Sequence, residues 1–191
     1  MSEGTLTGKI ADGTTWTYTG GILNGVRHGK GKCTYSDGDC YEGDWVDDKR
    51  AGKGKYTFAN GDVYEGDWVN GLKHGKGKIT FADGAVYEGD WIEDKRTGKG
   101  KYTWSDGDSY EGDFVDDKQT GKGKWTSSDG GSVYEGDNVD GKPNGKGKWT
   151  FANDGIVYEG DLVDGKPHGK GKMTRPDGVY EGNWVNGKPV S

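Results

Sequence analysis

A three-residue motif, Tyr-Glu-Gly, recurs along this chain at almost constant spacing and constrains the fold more than any other feature. It begins at Tyr41, Tyr64, Tyr87, Tyr110, Tyr134, Tyr158 and Tyr180, at intervals of 23, 23, 23, 24, 24 and 22 residues. A weaker copy, Tyr-Thr-Gly, begins 23 residues before the first of these, at Tyr18. A fixed period of this length indicates a repeat protein in which each repeat is one supersecondary unit. We therefore divide the chain into an atypical N-terminal cap, residues 1–17, and eight repeats over residues 18–191.

Two segments of each repeat alternate between charged residues and residues that are either large or glycine. In the repeat that starts at Tyr64, the first segment places Tyr64, Gly66 and Trp68 on one face of a strand. The second segment, residues 75–81, reads Gly-Lys-Gly-Lys-Ile-Thr-Phe and alternates in the same way. Two alternating segments around a polar turn predict a β-hairpin. The fold class is therefore all-β, an elongated single-layer antiparallel sheet of stacked hairpins.

The pairing of the strands follows from which residues must share a face. One allowed register within the hairpin puts Trp68 opposite Gly75 and Tyr64 opposite Ile79, and the alternative is shifted by two residues. Either register lays aromatic rings across bare glycine backbone. Between repeats, a three-residue loop with a left-handed glycine, such as residues 59–61, matches the faces and puts Tyr56 opposite Tyr64.

The two faces of the predicted sheet differ in chemistry. One is a stripe of Tyr, Trp and Phe. On the other, acidic strands alternate with lysine strands, so that Asp67 lies between Lys53 and Lys76. The opposite charges are expected to hold the register of the strands.

The pattern Tyr-x-Gly-x-Trp, followed about seven residues later by Gly-x-Gly, resembles the MORN (membrane occupation and recognition nexus) repeat family over residues 18–191. The histidine of the family motif is present only at His28, His74 and His168. The tryptophan position, four residues after the tyrosine, is occupied by other residues at Ile22, Phe114, Asn138 and Leu162. The resemblance implies a sheet that is twisted or curled so that its aromatic face forms a groove. It also implies a role in cytoskeletal, membrane-junction or ciliary assemblies.

No group of residues has the spacing of a catalytic site. The three histidines lie two and four repeats apart, and the Gly-Lys-Gly-Lys runs lack the spacing of a phosphate-binding loop. Cys33 and Cys40 are expected to point to opposite faces. The aspartates between repeats are expected to be turn residues, with a weak calcium site or an acidic surface for a basic partner as alternatives. We expect no enzyme activity, no cofactor and no metal.

The predicted site is the aromatic stripe, which Ser127 and Asn138 interrupt. Its residues are Tyr41, Trp45, Tyr56, Phe58, Tyr64, Trp68, Phe81, Tyr87, Trp91, Tyr102, Trp104, Tyr110, Phe114 and Trp125. Because a single sheet has no second layer to cover these rings, we expect them to bind a helix or an extended peptide of a protein partner.

Two alternative functions remain, a phosphoinositide or membrane-surface module and the regulatory array of a larger enzyme. A net charge of −6 and lysines matched by acidic residues weigh against lipid binding, and we expect weak or no phospholipid binding and no nucleic acid. Nothing near the N-terminus resembles a signal peptide, and no apolar stretch approaches membrane-spanning length, so we expect a cytoplasmic location.

The C-terminal end predicts a second interaction. The eighth repeat ends soon after its first strand, which leaves residues 180–185 as a strand without a hairpin partner. An unpaired edge can join a second copy of itself. We therefore expect a homodimer held by main-chain pairing at Tyr180 and by stacking of Trp184.

Overall fold

The computed structural model describes residues 1–190, which form 17 β-strands and no helix. The expectation of an all-β protein built from hairpins is confirmed. The chain divides into two compact units, the first ending at Lys95 and the second beginning at Arg96. Within each unit, every strand pairs antiparallel with the next strand along the chain.

The first unit contains β1 Ser2–Lys9, β2 Thr15–Leu23, β3 Val26–Tyr35, β4 Cys40–Val46, β5 Lys49–Thr57, β6 Val63–Val69, β7 Leu72–Thr80 and β8 Val86–Ile92. Strand β9, Lys95–Thr103, starts at the boundary. The second unit continues with β10 Ser109–Val115, β11 Lys118–Thr126, β12 Ser132–Val139, β13 Lys142–Phe151, β14 Ile156–Val163, β15 Lys166–Arg175, β16 Gly178–Val185 and β17 Lys188–Val190.

A tight two-residue turn joins the two strands inside each hairpin. Between β6 and β7, Asn70 and Gly71 have φ values of 51° and 84°, and Val69 pairs with Leu72. Positive φ at both central residues defines a type I′ turn, which has the twist of a hairpin. Asp47 and Asp48 form the equivalent turn, with φ values of 47° and 65°.

A three-residue loop joins repeats that are 23 residues apart, as predicted for residues 59–61. The N–H of Phe58 donates to the carbonyl of Asp62 at 2.9 Å, and the N–H of Gly61 donates back to the Phe58 carbonyl at 2.9 Å. Gly61 has φ = 96°. The loop fixes Tyr56 opposite Tyr64, and the equivalent loop fixes Ile79 opposite Tyr87.

The predicted register within the hairpin is correct at the end that contains Tyr64 and wrong at the end next to the turn. Tyr64 lies opposite Ile79 as predicted, but Trp68 lies opposite Lys73 and not opposite Gly75. The two-residue turn pairs Val69 with Leu72, and this register is shifted by two residues from the one in which Gly66 pairs with Gly77. A β-bulge between Gly66 and Trp68 absorbs this offset.

The bulge places the aspartate of the first strand where it can hold both neighbouring strands. The Asp67 carboxylate accepts the backbone N–H of Lys76 at 2.9 Å and the ammonium of Lys53 at 2.5 Å. In the second unit, the Lys122 ammonium lies 2.5 Å from the Asp137 carboxylate and lowers the pKa of that group. The predicted alternation of acidic and lysine strands is therefore present.

Six of the repeat tyrosines, Tyr64 among them, lie across a glycine of the next strand. A Cβ atom added to Gly77 would come within 2.2–2.5 Å of the Tyr64 ring and hydroxyl, and the hydroxyl donates to the carbonyl of Asp67 at 3.0 Å. Trp68 packs edge to face between Tyr41 and Tyr64, with ring centroids 5.3 and 5.1 Å apart. Edge-to-face pairs of this kind contribute about 0.5–1.5 kcal/mol each beyond the area they bury.

The prediction of an unpaired C-terminal strand is wrong. Strand β17 pairs with β16 and puts Pro189 opposite Trp184. Trp184 is 2% exposed, and its indole N–H donates to the carbonyl of Gly171 at 3.0 Å. Its ring is part of the core of the second unit and cannot stack against another copy. At the other end of the chain, β1 pairs with β2 along its whole length.

The type I′ turns supply a test of how a non-glycine residue is accommodated at positive φ. Nothing lies within 4 Å of a Cβ added to Gly71, so Gly71→Ala carries conformational strain alone. We expect Gly71→Ala to lower the free energy of unfolding by about 1–2 kcal/mol.

Gly71→Asp is the matched variant. Asp48, at the equivalent position, accepts the N–H of Arg27 in the preceding repeat at 3.0 Å. We expect Gly71→Asp to recover part of the loss by accepting the N–H of Arg50. Chemical denaturation measures both variants, and an aspartate variant no more stable than the alanine variant would contradict this explanation.

Candidate functional site

Most rings of the predicted stripe are buried inside the sheet's own thin core. Nine of the fourteen are at most 9% exposed, so the expectation that they lack cover is wrong for them. They are Tyr41, Trp45, Tyr56, Tyr64, Trp68, Tyr87, Trp91, Tyr110 and Phe114. The remaining five are half-buried, and they are Phe58, Phe81, Tyr102, Trp104 and Trp125.

In the first unit, cationic side chains cover the buried rings. They come from the residue nine positions after the tyrosine of each repeat, which we call the cation position. The guanidinium carbon of Arg50 lies 4.5 Å from the centre of the Trp68 ring and 4.9 Å from that of Tyr56. Arg27 covers Trp16 and Trp45 in the same way, at 4.4 and 4.3 Å. These cation–π contacts form a cover that the sequence analysis missed.

The signal for this cover is present in the alternation of the second strand. In the repeat that starts at Tyr64, the cation position is Lys73, two residues before Gly75 and four before Gly77. Because side chains alternate along a strand, an even separation places Lys73 on the same face as these glycines, which is the aromatic face. The first three of these residues are Arg27, Arg50 and Lys73, followed by Arg96 in the second unit. The last four are Gln119, Pro143, Pro167 and Pro189, so the cationic cover ends after Arg96.

The rings that remain accessible lie mainly on the second strand of each hairpin or just after it. In the first unit, the ring of Phe58 packs on that of Tyr56, with 4.5 Å between the ring centroids. In the second unit, Trp149 stacks on Phe151 at 5.5 Å with only 7° between the ring planes, and it lies 5.7 Å from Trp125. Trp149 and Phe151 lie beyond the interruption at Ser127 and Asn138 and were not among the predicted residues.

An open depression lies beside Trp104 in the second unit. It has a volume of 410 Å³ and is lined by Arg96, Tyr102, Trp104, Phe114, Asp117, Lys118, Gln119, Asp140 and Gly141. Its lining combines half-buried rings with charged and amide groups. Such a mixture suits a peptide, which presents both apolar side chains and backbone hydrogen-bonding groups.

The aspartates between repeats act as turn residues. Asp37 accepts the N–H of Asp39 at 3.0 Å, and Asp106 accepts the N–H of Asp108 at 3.0 Å. Asp62 accepts the N–H of Ala82 at 2.8 Å and so links one loop to the next. Within residues 1–190, no three His, Cys, Asp or Glu side chains are grouped so as to hold a metal ion.

The remaining candidates are isolated. Nδ1 of His28 lies 3.5 Å from the carboxylate of Asp47, which belongs to the hairpin turn of the next repeat. Cys33 is buried and Cys40 is half-buried, and both are free thiols. Over the described part of the chain, no helix has the length and apolar character required to cross a membrane.

Comparison with known proteins identifies the family. The MORN repeat matches eight consecutive segments, residues 18–40, 41–63, 64–86, 87–109, 110–132, 134–156, 158–179 and 180–190. The chain therefore belongs to the MORN repeat family, as the motif analysis predicted. No curated protein matches this chain.

The solved structures that are similar to the chain include two at low sequence identity. One is the SAS-4 (dCPAP) TCP domain of Drosophila melanogaster in complex with a proline-rich motif of Ana2, at 14% identity over 93% of this chain and 88% of that one, with a TM-score of 0.40. The other is the TCP10 domain of Danio rerio CPAP in complex with a STIL peptide, at 15% identity over 95% and 100%, with a TM-score of 0.34.

The buried tyrosines predict how stability depends on alkaline pH. Burial raises the pKa of Tyr110 and of Tyr134 to about 12, whereas an exposed tyrosine titrates near about 10. Because the folded-state pKa is raised, the stability from these neutral phenols is fully present below about pH 10 and is lost as the pH rises towards about 12.

Ultraviolet absorbance of phenolate measures this directly. We expect the native protein at about pH 10.5 to show much less phenolate than the same protein unfolded in denaturant. Equal phenolate absorbance in the two states would show that the rings are not held in the buried position.

Proposed function

We propose that this protein is a non-catalytic interaction scaffold of the cytoplasm that binds a helix or an extended peptide of a partner protein on its aromatic face. The observation that carries the proposal is the set of half-buried rings on the second strands or just after them. They lie on the same face as the buried tyrosines, and residues 1–190 provide no helix to cover them. Aromatic side chains that keep part of their surface exposed are the residues that dominate binding at protein interfaces.

The two strands of each hairpin differ in how their rings are held, and this difference supports the proposed function. The rings of the first strand are fixed by glycine contacts, hydroxyl bonds and cationic cover, so they form a rigid base. Phe58 and Trp104 stand on that base with ring surface available to a partner. A rigid base reduces the entropy lost on binding, because the anchor side chains are already held in place.

Alanine substitution of accessible rings tests the proposal. The variant Phe58→Ala/Phe81→Ala/Trp104→Ala removes accessible rings and leaves every first-strand tyrosine in place. We expect partner capture from a cell extract to fall by tenfold or more, since anchor residues contribute about 2 kcal/mol or more each. Cross-linking mass spectrometry on the captured partner is expected to place it on the aromatic face.

A matched control comes from exposed valines on the charged face. Val46, Val69 and Val115 are 48%, 49% and 50% exposed, and their alanine variant removes apolar surface without touching an aromatic ring. We expect this variant to capture partners as the unchanged protein does. Loss of capture in the valine variant, or its retention in the ring variant, would count against the aromatic face as the site.

Lipid binding provides a second prediction, because the lysines of the charged face are held by acidic neighbours. Lys53, Lys99 and Lys122 each lie 2.5 Å from an aspartate carboxylate of the next repeat. We expect only weak flotation with phosphoinositide vesicles, and loss of that binding at about 0.5 M salt, where screening is short-ranged. Binding that persists at that salt concentration would favour the membrane-surface alternative.

A further inference from the structure

The residue at the cation position and the second residue of the next repeat's hairpin turn vary together along the chain. A charged cation position is paired with an aspartate in three cases, Arg27 with Asp48, Lys73 with Asp94, and Arg96 with Asp117. An uncharged one is paired with a glycine in three cases, Gln119 with Gly141, Pro143 with Gly165, and Pro167 with Gly187. Arg50 departs from this pattern, because its turn residue is Gly71. It is therefore the one cation at this position whose turn residue carries no carboxylate.

The repeats that have both partners show what the carboxylate does. In the first unit, Oδ1 of Asp48 accepts both the backbone N–H and the Nε–H of Arg27, each at 3.0 Å. In the second unit, Oδ1 of Asp117 accepts the same two donors of Arg96, at 3.1 and 2.9 Å. One ionised oxygen thus satisfies two donors, and hydrogen bonds to an ionised acceptor are stronger than those between neutral groups.

The backbone around Arg50 has the same geometry as the backbone around Arg27. The N–H of Gly71 donates to the Arg50 carbonyl at 2.9 Å, and the Arg50 guanidinium donates to the Gly71 carbonyl at 2.8 Å. Asp48 makes the same two contacts with Arg27, at 3.0 Å each. Gly71 has φ = 84° and Asp48 has φ = 65°, so both are left-handed. The difference is the carboxylate, and without it the backbone N–H and the Nε–H of Arg50 lack this acceptor.

The place of the missing carboxylate is open. Nothing lies within 4 Å of a Cβ added to Gly71. Arg50 itself is half-buried, and its guanidinium is held in position by the rings of Trp68 and Tyr56. A guanidinium that is already oriented loses little freedom when it binds a carboxylate, and partial shielding from water strengthens the attraction. The space beside Arg50 is therefore a preformed position for a carboxylate from outside the chain.

The surroundings of this position also favour an acidic ligand. The first residue of the turn is Asn70, which is neutral, whereas the turns of the two neighbouring repeats carry an acid at that place. The ammonium of Lys73 lies 5.7 Å from the ring centre of Phe58. Phe58 in turn packs on Tyr56, which the Arg50 guanidinium covers. This part of the aromatic face therefore combines a cation that lacks a carboxylate with a half-buried ring beside it.

We propose that Arg50 and the open position at Gly71 form a binding site for the carboxylate of an aspartate or glutamate side chain from a partner segment. An apolar residue next to this acid in the partner lies on Phe58. The inference rests on the proposed function for the source of the carboxylate, and it gives the chemistry of the partner at this point of the aromatic face. The site itself belongs to this chain and can be tested with a small carboxylate.

Titration of the full chain with sodium acetate, at constant ionic strength, tests the site. Nuclear magnetic resonance of ¹⁵N-labelled protein follows the backbone amide and the Nε–H group of each arginine. We expect saturable shifts at both groups of Arg50 and at neither group of Arg27 or Arg96, where an aspartate already fills the acceptor position. Equal shifts at the three arginines, or no saturable shift at Arg50, would overturn the proposal.

Two variants remove the site in different ways. Gly71→Asp fills the position from within the chain, as Asp48 does beside Arg27. Arg50→Gln removes the cation and copies a pairing that the fold already contains, in which the N–H of Gly141 donates to the Gln119 carbonyl at 2.8 Å. We expect either variant to lose acetate affinity by about tenfold or more, since each removes a charge-assisted hydrogen bond. Unchanged affinity in a folded variant would show that acetate binds elsewhere and would overturn the assignment.

Asp48→Gly is the matched variant, because it creates the same arrangement in the preceding repeat. It removes the carboxylate from Arg27 and leaves a glycine at a turn position with positive φ. We expect a second set of saturable acetate shifts at Arg27, while the shifts at Arg50 are retained. If Arg27 shows no acetate shift in the folded variant, an arginine above a glycine turn is not sufficient to bind a carboxylate, and the proposal is wrong.

A short peptide tests the chemistry of the partner. The probe is acetyl-Gly-Glu-Phe-Gly-amide, and its control has glutamine in place of glutamate. We expect the glutamate peptide to shift the signals of Arg50 and of the Phe58 ring, and to bind more tightly than the glutamine peptide by about fivefold or more. Equal affinity of the two peptides would overturn the assignment of an acidic partner residue.

The proposed function and this site can fail separately. If acetate binds at Arg50 while the Phe58, Phe81 and Trp104 variant captures partners normally, the carboxylate site stands and the wider aromatic face is not the docking surface. If the ring variant loses its partners while acetate does not bind at Arg50, the scaffold function stands and the carboxylate site is wrong.

Discussion

The structure depends on one contact, a tyrosine ring laid across a glycine of the neighbouring strand. A single sheet has no opposing layer, so its apolar face must be filled by side chains that lie flat on the sheet itself. Tyr64 can lie flat because Gly77 has no Cβ atom, and its hydroxyl then reaches the carbonyl of Asp67. The same arrangement recurs at Tyr41 over Gly54 and at Tyr134 over Gly147. A repeat of this kind therefore builds its core on one ring and one glycine.

The other contacts follow from the position of that ring. Once the tyrosines are fixed at one per repeat, the space between two of them takes the tryptophan, and the cation position lies above the tryptophan ring. On the opposite face, the same register brings Asp67 beside Lys53. Each exposed ion pair contributes only about 0.2–1 kcal/mol, so these pairs reinforce the register and do not create it. Where the tryptophan is replaced by Asn138, Tyr110 and Tyr134 stay buried.

Residue spacing and alternation predicted much of this architecture, because both are local properties of the sequence. The interval between tyrosines gave the repeats, and parity together with the left-handed glycine gave the loop that sets Tyr56 opposite Tyr64. The bulge at Asp67 was not predicted, since it results from a conflict between the two-residue turn and the glycine pairing. Pairing of Lys188–Val190 with β16 was missed because a three-residue strand has no alternation of its own. The cover by Arg50 was missed because its charge was counted against the neighbouring aspartates and its face was not considered. For the same reason, the sequence named the rings of the aromatic face but could not say which of them remain accessible.

A double-mutant cycle on Tyr64 and Gly77 tests the central contact most directly. Gly77 does not have a positive φ, so Gly77→Ala introduces no backbone strain and acts through the added methyl group alone. We expect Gly77→Ala to lower the free energy of unfolding by about 1–3 kcal/mol in the unchanged protein, through overpacking against the ring. In the Tyr64→Ala background, where the ring is absent, we expect the same substitution to cost less than about 0.5 kcal/mol, which gives a clear coupling energy. An equal cost in both backgrounds would show that the ring and the glycine are independent, and it would contradict this account of the fold.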